Sequence, residues 1–478
     1  MKYALAIDCG TTSTRVIAFD KMGSTIAMHQ ESLAILTPKP QWVEQRPDDI
    51  WLKTNHCLTK VINQVGAKNI VNIGITNQRE TSIIWNRKTG SAMGPAISWQ
   101  CRRTTSRCLE LQSLKNIIRL KTGLPIDPYF SGSKFEWLLL NLSKQFPQVK
   151  LDELCFGTVD TWLLYHLTNK KTYATDVTNA SRTMLFDINK KKYDEDLCKQ
   201  FNIPIEQLPD VLNSDDLFGF YSIENHKIPI TGVIGDQQAA LYAQCGRQTN
   251  LIKNTYGTGL FLMANTGQDV SQSTDLLTTI AIGIDGAVDY AIEGSVFTGG
   301  SLIQWLRDNL KILESTDASE ELAKSVPNSA GVTIVPALSG LGAPYWLPNA
   351  TALITGLTHK TTQAHIVRAA LEAIGLQTND LVNVIKKQYP NIAFNDLLVD
   401  GGASQNNWLM QLQANLCQLT VRRPRHIEAT ALGAALVANH HTGFFKRMNK
   451  EDTQFTPHKE PIELINQWRA AIQLIKTS

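Results

Sequence analysis

The sequence contains no apolar run long enough to cross a membrane. A membrane-spanning helix needs roughly 18 or more consecutive apolar residues, and the densest stretch here, 135–142, is interrupted by Glu136 and Asn141. The first three residues lead directly into a predicted strand and leave no room for a signal peptide. We therefore expect a cytoplasmic protein that does not insert stably into a membrane.

Cysteine pairs and long basic blocks are also missing. The eight cysteines include no C-x-x-C pair and are scattered through apolar or helical segments, which argues against a zinc-binding cysteine pair and against a disulfide framework. We expect reduced thiols. The formal net charge is only +3, and the longest basic run is Lys190-Lys191-Lys192. Such a chain has no electrostatic footprint for nucleic acid or for an anionic membrane surface.

The chain is long enough for more than one core. Domains run to roughly 100–200 residues, so 478 residues predict two large domains or three smaller ones. Hydrophobic residues make up 43% and charged residues 19% of the sequence. This balance is typical of soluble globular proteins rather than of disordered or membrane proteins.

A polar turn lies between two short apolar runs near the N-terminus. Residues 8–15 read Asp-Cys-Gly-Thr-Thr-Ser-Thr-Arg, and residues 5–7 and 16–19 on either side are apolar. We predict a strand, a tight turn and a second strand. Because Gly10 has no Cβ, backbone N–H groups and hydroxyls can converge there on a phosphate, with Asp8 facing its cation. The alternative is a turn whose hydroxyls only satisfy the local backbone.

Two further turns favour the phosphate interpretation. Residues 254–259 read Asn-Thr-Tyr-Gly-Thr-Gly between apolar runs, and residues 399–403 read Val-Asp-Gly-Gly-Ala. Two hydroxyl- and glycine-containing hairpins plus an Asp-Gly-Gly-Ala turn are what a nucleotide clamp with one lobe on each side of the phosphates requires. The arrangement resembles the actin-like ATPases, and among them the FGGY carbohydrate kinases. It implies an α/β fold of two duplicated actin-like ATPase (ribonuclease H-like) domains with the active site in the cleft between them.

The domain boundary is predicted where a helix ends and the pattern restarts. Residues 239–245 read as a helix, Gly246 suits the position that follows a helix C-terminus, and the polar link 247–250 leads into the second hairpin. We therefore assign 1–246 to an N-terminal domain and 247–478 to a C-terminal domain. The resemblance to the FGGY carbohydrate kinases implies that the first contains the polyol site and the second the adenosine site. No repeat with a period of roughly 20–50 residues is present, so the pattern is a duplication and not a solenoid.

Other elements follow from periodicity and capping signals. Pro47 begins a helix with one apolar face, and the alternating stretch 71–75 reads as a strand. The stretch 230–234 reads as a strand that ends at a Gly-Asp pair. Polar and aromatic residues collect where such strands end, which is where ligands bind in open α/β sheets. From Thr430 to the end we predict helix.

The resemblance to the FGGY family extends along nearly the whole chain, and it is to members that phosphorylate glycerol. The runs that carry it are 74–81 (Gly-Ile-Thr-Asn-Gln-Arg-Glu-Thr), 99–103, 127–132, 178–184, 235–240, 253–259 and 340–346. It implies ATP-dependent phosphorylation of glycerol to sn-glycerol 3-phosphate with Mg²⁺. It also implies a homo-oligomer, a dimer or a tetramer, whose small-molecule partners are glycerol and ATP.

The resemblance also implies roles for individual residues. The triol would be held by Arg79, Glu80, Trp99, Tyr129, Asp236, Gln237 and Phe261. The nucleotide would contact Thr11, Thr12, Ser13, Arg15, Thr258, Gly300, Gln304, Ala403 and Asn407. Asp236 would be the general base and Asp8 the acid nearest the magnesium, while Thr11 and Thr258 would grip the phosphates from opposite domains, which must close for transfer.

Elementary chemistry agrees with these roles, although each residue has a simpler reading. A guanidinium beside carboxylates satisfies hydroxyls that both donate and accept, and three aromatic rings cover C–H groups and limit the pocket's length. By itself, Arg79-Glu80 is more often a surface ion pair, Trp99 a core residue and Asp236 a helix N-cap. Rival functions are an FGGY kinase for a pentulose or a longer polyol, and an ATP-driven chaperone-type switch.

The chain departs from the family pattern at three places. Cys9 stands where the family usually has Gln, beside the first phosphate turn. The short segment 223–228 replaces the glycine-rich basic loop that binds fructose bisphosphate in some relatives. The histidine-bearing loop that is phosphorylated in other relatives has no clear match. We therefore expect the chemistry of the family, whereas the regulation known in relatives does not carry over to this chain.

Overall fold

A computed structural model describes residues 1–270, 273–347, 349–424, 428–446 and 452–477. The strands of the first half are β1 (Tyr3–Cys9), β2 (Ser13–Phe19), β3 (Thr25–Ser32), β4 (Glu44–Gln45), β5 (Ile70–Asn77), β6 (Ile83–Asn86), β7 (Ala96–Ile97), β8 (Leu154–Gly157), β9 (Ala174–Asp176), β10 (Phe186–Asp187), β11 (Lys192–Tyr193), β12 (Asp210–Leu212), β13 (Gly219–Ile223) and β14 (His226–Gly235). Its helices are α1 (Pro47–Val65), α2 (Thr105–Glu110), α3 (Lys115–Thr122), α4 (Ser131–Gln145), α5 (Val159–Leu167), α6 (Val177–Ala180), α7 (Glu195–Gln200) and α8 (Asp236–Cys245).

The second half repeats the alternation of strands and helices. Its strands are β15 (Leu251–Tyr256), β16 (Leu260–Gly267), β17 (Leu277–Ile284), β18 (Ala287–Val296), β19 (Thr333–Val335), β20 (Leu353–Thr355), β21 (Asp396–Asp400), β22 (Thr420–Pro424) and β23 (Asp452–Phe455). Its helices are α9 (Ser301–Asp308), α10 (Ala318–Lys324), α11 (Gln363–Gln388), α12 (Asn407–Cys417), α13 (Ala429–Ala438) and α14 (Ile462–Thr477). Among the helices in these described ranges, none is both long and apolar enough to cross a membrane.

The two central sheets share one topology. The first has the order β13-β14-β5-β1-β2-β3 and the second β17-β18-β16-β15-β21-β22-β23. In each, a glycine-containing hairpin (β1–β2 or β15–β16) is antiparallel, and its first strand pairs in parallel with a later strand, β5 or β21. The second strand of each hairpin pairs antiparallel with one more strand: β2 pairs with β3 in the first sheet, and β16 pairs with β18 in the second. This correspondence confirms the predicted duplication and the two-lobed α/β fold.

Helix α13 belongs to the second half by sequence but packs on the sheet of the first half. A Cβ on Gly74 of β5 would lie 2.2 Å from the carbonyl oxygen of Ala434, and a Cβ on Gly433 would lie 2.0 Å from that of Ala239 in α8. Only glycine permits backbones to approach so closely. The Asn72 side chain in β5 also donates to the carbonyl of Ala438 at 2.6 Å. The domain boundary at Gly246 therefore stays a prediction. Helix α13 follows that boundary in the sequence but packs against the half of the structure that precedes it.

The prediction of continuous helix from Thr430 onward is wrong in part. Helices α13 and α14 are present, but β23 lies between them and pairs antiparallel with β22. Strand β23 reads Asp-Thr-Gln-Phe and has no apolar alternation, because it is a partly exposed strand at the edge of the sheet. Its conformation comes from pairing with β22, which local periodicity does not report.

Candidate functional site

The first phosphate turn is held from both sides. The Gly10 amide donates to the Ser13 carbonyl at 2.9 Å and closes the β1–β2 hairpin. Asp8 and Arg15 face each other across the strands, and the Nε and Nη2 of Arg15 donate to Asp8 Oδ2 at 2.9 and 2.7 Å. Both bonds fall on one oxygen, which leaves Oδ1 outside the pairing. Thr12 at the tip of the hairpin is exposed.

Cys9 is a buried, unreactive thiol. Its side chain is fully buried at the end of β1. Burial raises the pKa of the Cys9 thiol to about 12, so that it stays protonated at neutral pH. The departure from the family pattern at this position is therefore a change in packing and not an added nucleophile.

The second and third turns pack into one surface. The Gly300 amide donates to the Gly257 carbonyl and the Gly299 amide to the Thr258 carbonyl, each at 2.8 Å. A Cβ on Gly300 would lie 2.8 Å from the Gly257 carbonyl oxygen and 3.6 Å from the Cβ of Ala403. Three predicted nucleotide residues, from turns far apart in sequence, thus lie side by side.

Gln304 and Asn407 lie in the first turns of α9 and α12, beside that surface, and both are exposed. The Asn407 side-chain oxygen accepts from Nη2 of Arg423 at 2.9 Å, and the Asn407 backbone N–H donates to Oε2 of Glu320 at 3.1 Å. The sequence reasoning gave neither Arg423 nor Glu320 a role. Both lie on elements, β22 and α10, whose position beside α12 follows only from the tertiary fold.

A buried charge cluster surrounds Arg79, one of the residues predicted to bind the polyol. Arg79 is 3% exposed and pairs through Nη1 and Nη2 with both oxygens of Glu293, at 2.7 and 3.1 Å. Its Nε lies 3.2 Å from Oδ1 of Asp236, and its Nη2 lies 3.5 Å from the hydroxyl of Tyr129. The interpretation of Arg79 as a surface ion pair is therefore wrong.

Glu80 is held by a second buried arginine. Arg182 Nε donates to Glu80 at 2.6 Å, and its Nη2 donates to Glu293 at 3.2 Å. Glu80 is buried and has a φ of 62°, a left-handed conformation that is uncommon for residues other than glycine.

Glu293 is ionised by its two arginine partners. Burial alone would raise the pKa of Glu293, but the charges of Arg182 and Arg79 outweigh the effect of burial and lower this pKa to about 2.

The sequence reasoning missed Arg182 and Glu293. Arg182 lies in a run that resembles the family, and Glu293 interrupts the otherwise mostly apolar strand β18. An acidic residue in a buried strand is a signal that could have been used, because such groups are retained only when they are paired.

Asp236 is the first residue of α8, and Gly235 occupies the N-cap position. The N-cap interpretation of Asp236 is therefore wrong. The carboxylate accepts from the Gln237 amide at 2.7 Å and its side chain is 27% exposed, so it can be reached from solvent. Burial raises the pKa of Asp236 to about 6; Arg79 opposes this shift, and the charges of Glu80 and Asp8 add to it.

Gln237, the next residue of α8, contacts the second half. Its side-chain oxygen accepts from Nζ of the buried Lys253 at 2.9 Å.

The three predicted aromatic residues meet in space. Trp99 and Tyr129 pack edge to face with ring centroids 5.6 Å apart, and Trp99 and Phe261 do so at 6.3 Å. Phe261 belongs to β16 of the second half, so this contact spans the two halves. The indole N–H of Trp99 donates to the Thr11 hydroxyl at 3.0 Å, which joins the aromatic wall to the first phosphate turn.

The predicted residues thus form two connected groups. One contains the polyol residues and the first hairpin, linked by Arg79, Trp99 and Thr11. The other contains Thr258, Gly300, Ala403, Gln304 and Asn407 in the second half. Phe261 lies two residues beyond Gly259 on the second hairpin and connects them. Glycine turns with exposed hydroxyl residues thus lie beside a buried charge cluster and three aromatic rings, an arrangement compatible with phosphoryl transfer to a polyhydroxylated substrate.

Comparison with models of known protein families identifies the family to which the chain belongs. Residues 3–243 match the N-terminal domain of the FGGY family of carbohydrate kinases, and residues 252–442 match the C-terminal domain of the same family. The chain belongs to the FGGY family of carbohydrate kinases.

Individual relatives narrow the comparison. The chain is 46% identical over 485 residues to a glycerol kinase of Aquifex aeolicus, with 99% of this chain and 98% of that protein covered. It is 46% identical over 488 residues to glycerol kinase 2 of Thermotoga maritima, with 99% and 98% covered. The crystal structure of Plasmodium falciparum glycerol kinase with ADP superposes with a TM-score of 0.92 at 34% identity and covers 99% and 98% of the two chains. A xylulose kinase of Lactobacillus acidophilus, at a TM-score of 0.86 and 19% identity over 100% and 97%, shares the fold.

Proposed function

We propose that the protein transfers the γ-phosphoryl group of ATP to glycerol and forms sn-glycerol 3-phosphate. The observation that carries this proposal is the wall of Trp99, Tyr129 and Phe261 around the charged floor of Arg79 and Asp236. The hydroxyls of a small triol can form hydrogen bonds with Arg79 and Asp236, and its C–H groups can pack against the aromatic rings. The rings also limit the length of the molecule that can bind. The similarity to glycerol kinases over nearly the full length supports the same substrate.

In the proposed reaction, Asp236 accepts the proton of the attacking hydroxyl. The hydroxyl oxygen forms a bond to the γ-phosphorus while the bond from that phosphorus to the β–γ bridging oxygen breaks, and ADP leaves. A pKa near 6 keeps the Asp236 carboxylate largely ionised at neutral pH and more basic than an ordinary aspartate. Arg79 orients the carboxylate through its Nε, 3.2 Å from Oδ1.

The phosphates would be bound from both lobes. Thr11, Thr12 and Ser13 offer hydroxyl and amide donors on one side, and Thr258 offers them on the other, since its position in a glycine turn leaves it exposed. Gly300, Gln304, Ala403 and Asn407 would line the adenosine side. Closing the lobes excludes water, which protects ATP from hydrolysis.

Mg²⁺ fits the first hairpin. Asp8 supplies a carboxylate whose Oδ1 is outside the Arg15 pairing, and Mg²⁺ takes oxygen ligands from one or two carboxylates together with phosphates and water. When bound, the metal would offset the charge of the phosphates. We propose Asp8 as the residue nearest the metal, directly or through water.

The remaining features of the proposal come from the family resemblance. We place the boundary between the two FGGY domains at Gly246, which is supported by the positions of the central sheets before and after it. We also propose a cytoplasmic homo-oligomer, a dimer or a tetramer.

A coupled assay of ADP release tests the substrate. We expect the highest kcat/KM for glycerol in a panel with xylulose, ribulose, gluconate and four- and five-carbon polyols. The variant Phe261→Ala removes part of the wall and should raise kcat/KM for longer polyols relative to glycerol. A higher kcat/KM for a pentulose with the unmodified protein would assign the chain to another FGGY kinase. ADP release that no acceptor stimulates would favour an ATP-driven switch.

A further inference from the structure

Four metal-ligating side chains converge far from the site described above. His440 Nε2 lies 2.9 Å from Oδ2 of Asp285, and His441 Nε2 lies 2.9 Å from Oδ2 of Asp215. His441 Nδ1 also lies 3.9 Å from Oδ1 of Asp285. One ligand atom from each residue can be chosen so that all four lie within 4.8 Å of one another. The proposed reaction uses none of these residues.

The cluster joins separate elements at the ends of the sheets that lie away from the phosphate turns. Asp285 begins the turn between β17 and β18, and β18 runs from there to Val296, which pairs with Leu260 beside the second phosphate turn. His440 and His441 follow the last residue of α13, Ala438. The Ala438 carbonyl accepts from Asn72 near the start of β5, whereas the end of β5 meets the first phosphate turn.

Asp215 lies in the first half and fixes the cluster to it. Its side chain is 2% exposed, and its Oδ2 also accepts from the Asp285 amide at 3.1 Å. Next to it, Ser214 exchanges hydrogen bonds with Gly283 of β17: its amide donates to the Gly283 carbonyl at 2.8 Å and its hydroxyl accepts from the Gly283 amide at 3.2 Å. The two halves are thus in direct contact at this point, and the backbone there is well fixed.

We propose that Asp215, Asp285, His440 and His441 form a zinc site that joins the two halves of the protein. Two imidazoles and two carboxylates are a donor set that suits Zn²⁺, with four ligands in a tetrahedron at about 2.0–2.2 Å. Ligand atoms in such a tetrahedron are about 3.3–3.5 Å apart, and one ligand atom from each of the four side chains already lies within 4.8 Å of the other three.

The exposure of the ligands allows both entry and adjustment. The side chains of His441 and Asp285 are 62% and 54% exposed, so a hydrated ion can reach them and they can turn toward it. The buried Asp215 stays fixed. The contacts of His440 with Asp285 and of His441 with Asp215 keep the four side chains together.

A second group, His29, Glu31 and Cys57, is less suitable. It offers three ligands, and burial raises the pKa of the Cys57 thiol to about 11. Thiols ligate zinc as thiolates, so this group would bind the ion weakly at neutral pH.

Zinc binding to metal-free protein without a histidine tag tests the proposal. We expect calorimetric titration with ZnCl₂ to show one site in the unmodified protein and in His359→Asn, which changes an exposed histidine elsewhere. In the double variant His441→Asn/Asp285→Asn, affinity should fall by more than the roughly 10–100-fold caused by loss of an outer-shell partner. Zinc should raise the Tm of the first two proteins and not of the double variant, and MgCl₂ should not substitute for it.

Two results would overturn the site. Equal zinc affinity in the unmodified protein and the double variant would place the ion elsewhere, and absence of binding would reduce the cluster to two histidine–aspartate ion pairs. Because both changed residues are exposed, the double variant should keep its circular dichroism spectrum and its MgATP-dependent activity. If it does not fold, the single variant His441→Asn replaces it in the same comparison.

Discussion

Arg79 and Glu293 form a two-point ion pair, with N–O distances of 2.7 and 3.1 Å, between the first and second halves of the chain. Arg79 lies two residues beyond the end of β5 in the first half, and Glu293 lies within β18 of the second. Both side chains are at most 2% exposed. The arginine that contacts Asp236 is therefore oriented by a carboxylate from the other half, which couples assembly of the pocket to the packing of the two halves.

Replacing Glu293 should destabilise the protein strongly. In Glu293→Gln the neutral amide leaves Arg79 and Arg182 buried without their shared counter-ion, and breaking a buried ion pair on one side costs about 3–5 kcal/mol. We expect a loss of that size in the free energy of unfolding, measured by denaturant titration, and a higher KM for glycerol because Arg79 loses its orientation.

The matched control is Glu321→Gln, in which the side chain is 79% exposed and contacts Lys324. Exposed ion pairs contribute about 0–1 kcal/mol, so this variant should unfold nearly as the unmodified protein does. A similar small effect for Glu293→Gln would show that the buried cluster is not needed for stability.

Asp236→Asn should abolish most of the activity and leave the fold intact. Asparagine keeps the shape of the side chain but cannot accept the hydroxyl proton, so kcat should fall by roughly 10²–10⁴-fold, the range attributed to general base catalysis. Glycerol binding, measured by calorimetry, should weaken much less, and Tm should change little because Gly235 holds the cap position. Turnover close to normal would remove Asp236 from the role of base.

The pH dependence of kcat/KM should reveal the ionisation of the Asp236 carboxyl group. The pKa of Asp236 is raised to about 6 by burial, and only the ionised carboxylate accepts a proton. Activity should therefore be constant above pH 7 and fall as pH decreases through about 6, tenfold per unit in the acid limb. In Asp236→Asn the residual activity should lack this inflection, and an unchanged acid limb would assign it to another group.

Gly300→Ala should weaken use of ATP more than use of glycerol. The added Cβ would lie 2.8 Å from the Gly257 carbonyl oxygen, so the two nucleotide turns must separate. Misplacement of about 1 Å near a reacting group can lower the rate roughly 10²-fold, and we expect kcat/KM for ATP to fall toward that extent. Gly94→Ala is the control, because its Cβ would meet Leu138 at an ordinary 3.5 Å. Equal kinetics for the two variants would argue against the proposed nucleotide surface.

Fructose 1,6-bisphosphate should not inhibit. Strands β13 and β14 are joined by a two-residue turn, with Ile223 paired to His226, where some relatives have a glycine-rich basic loop. Such a turn has no room to surround two phosphates. Saturable inhibition in the ADP-release assay, accompanied by tetramer formation in size-exclusion chromatography, would contradict this expectation.

Structural features that depend only on short stretches of the chain, such as tight turns and helix starts, could be predicted from the sequence. The hairpins around Gly10 and Gly257 combine apolar runs with glycine and hydroxyl residues, and the helix that begins at Pro47 has a local start signal and one apolar face. The aromatic and charged residues of the pocket came from runs that resemble the FGGY family. In the structure, Trp99 contacts Tyr129 and Phe261, as expected for one pocket wall.

Only the tertiary structure decided what depends on long-range contact. Glu293 and Arg182 are neighbours of Arg79 because β18, and the turn that follows α6, meet beside the end of β5. No pattern in either segment indicates that the two lie together. Helix α13 packs on the first sheet because Gly74 lets the backbones of β5 and α13 touch, and Gly433 lets α13 touch α8. Local sequence fixes turns, caps and periodicity, whereas the pairing of buried charges and the choice of packing partner are set by which surfaces exclude water together.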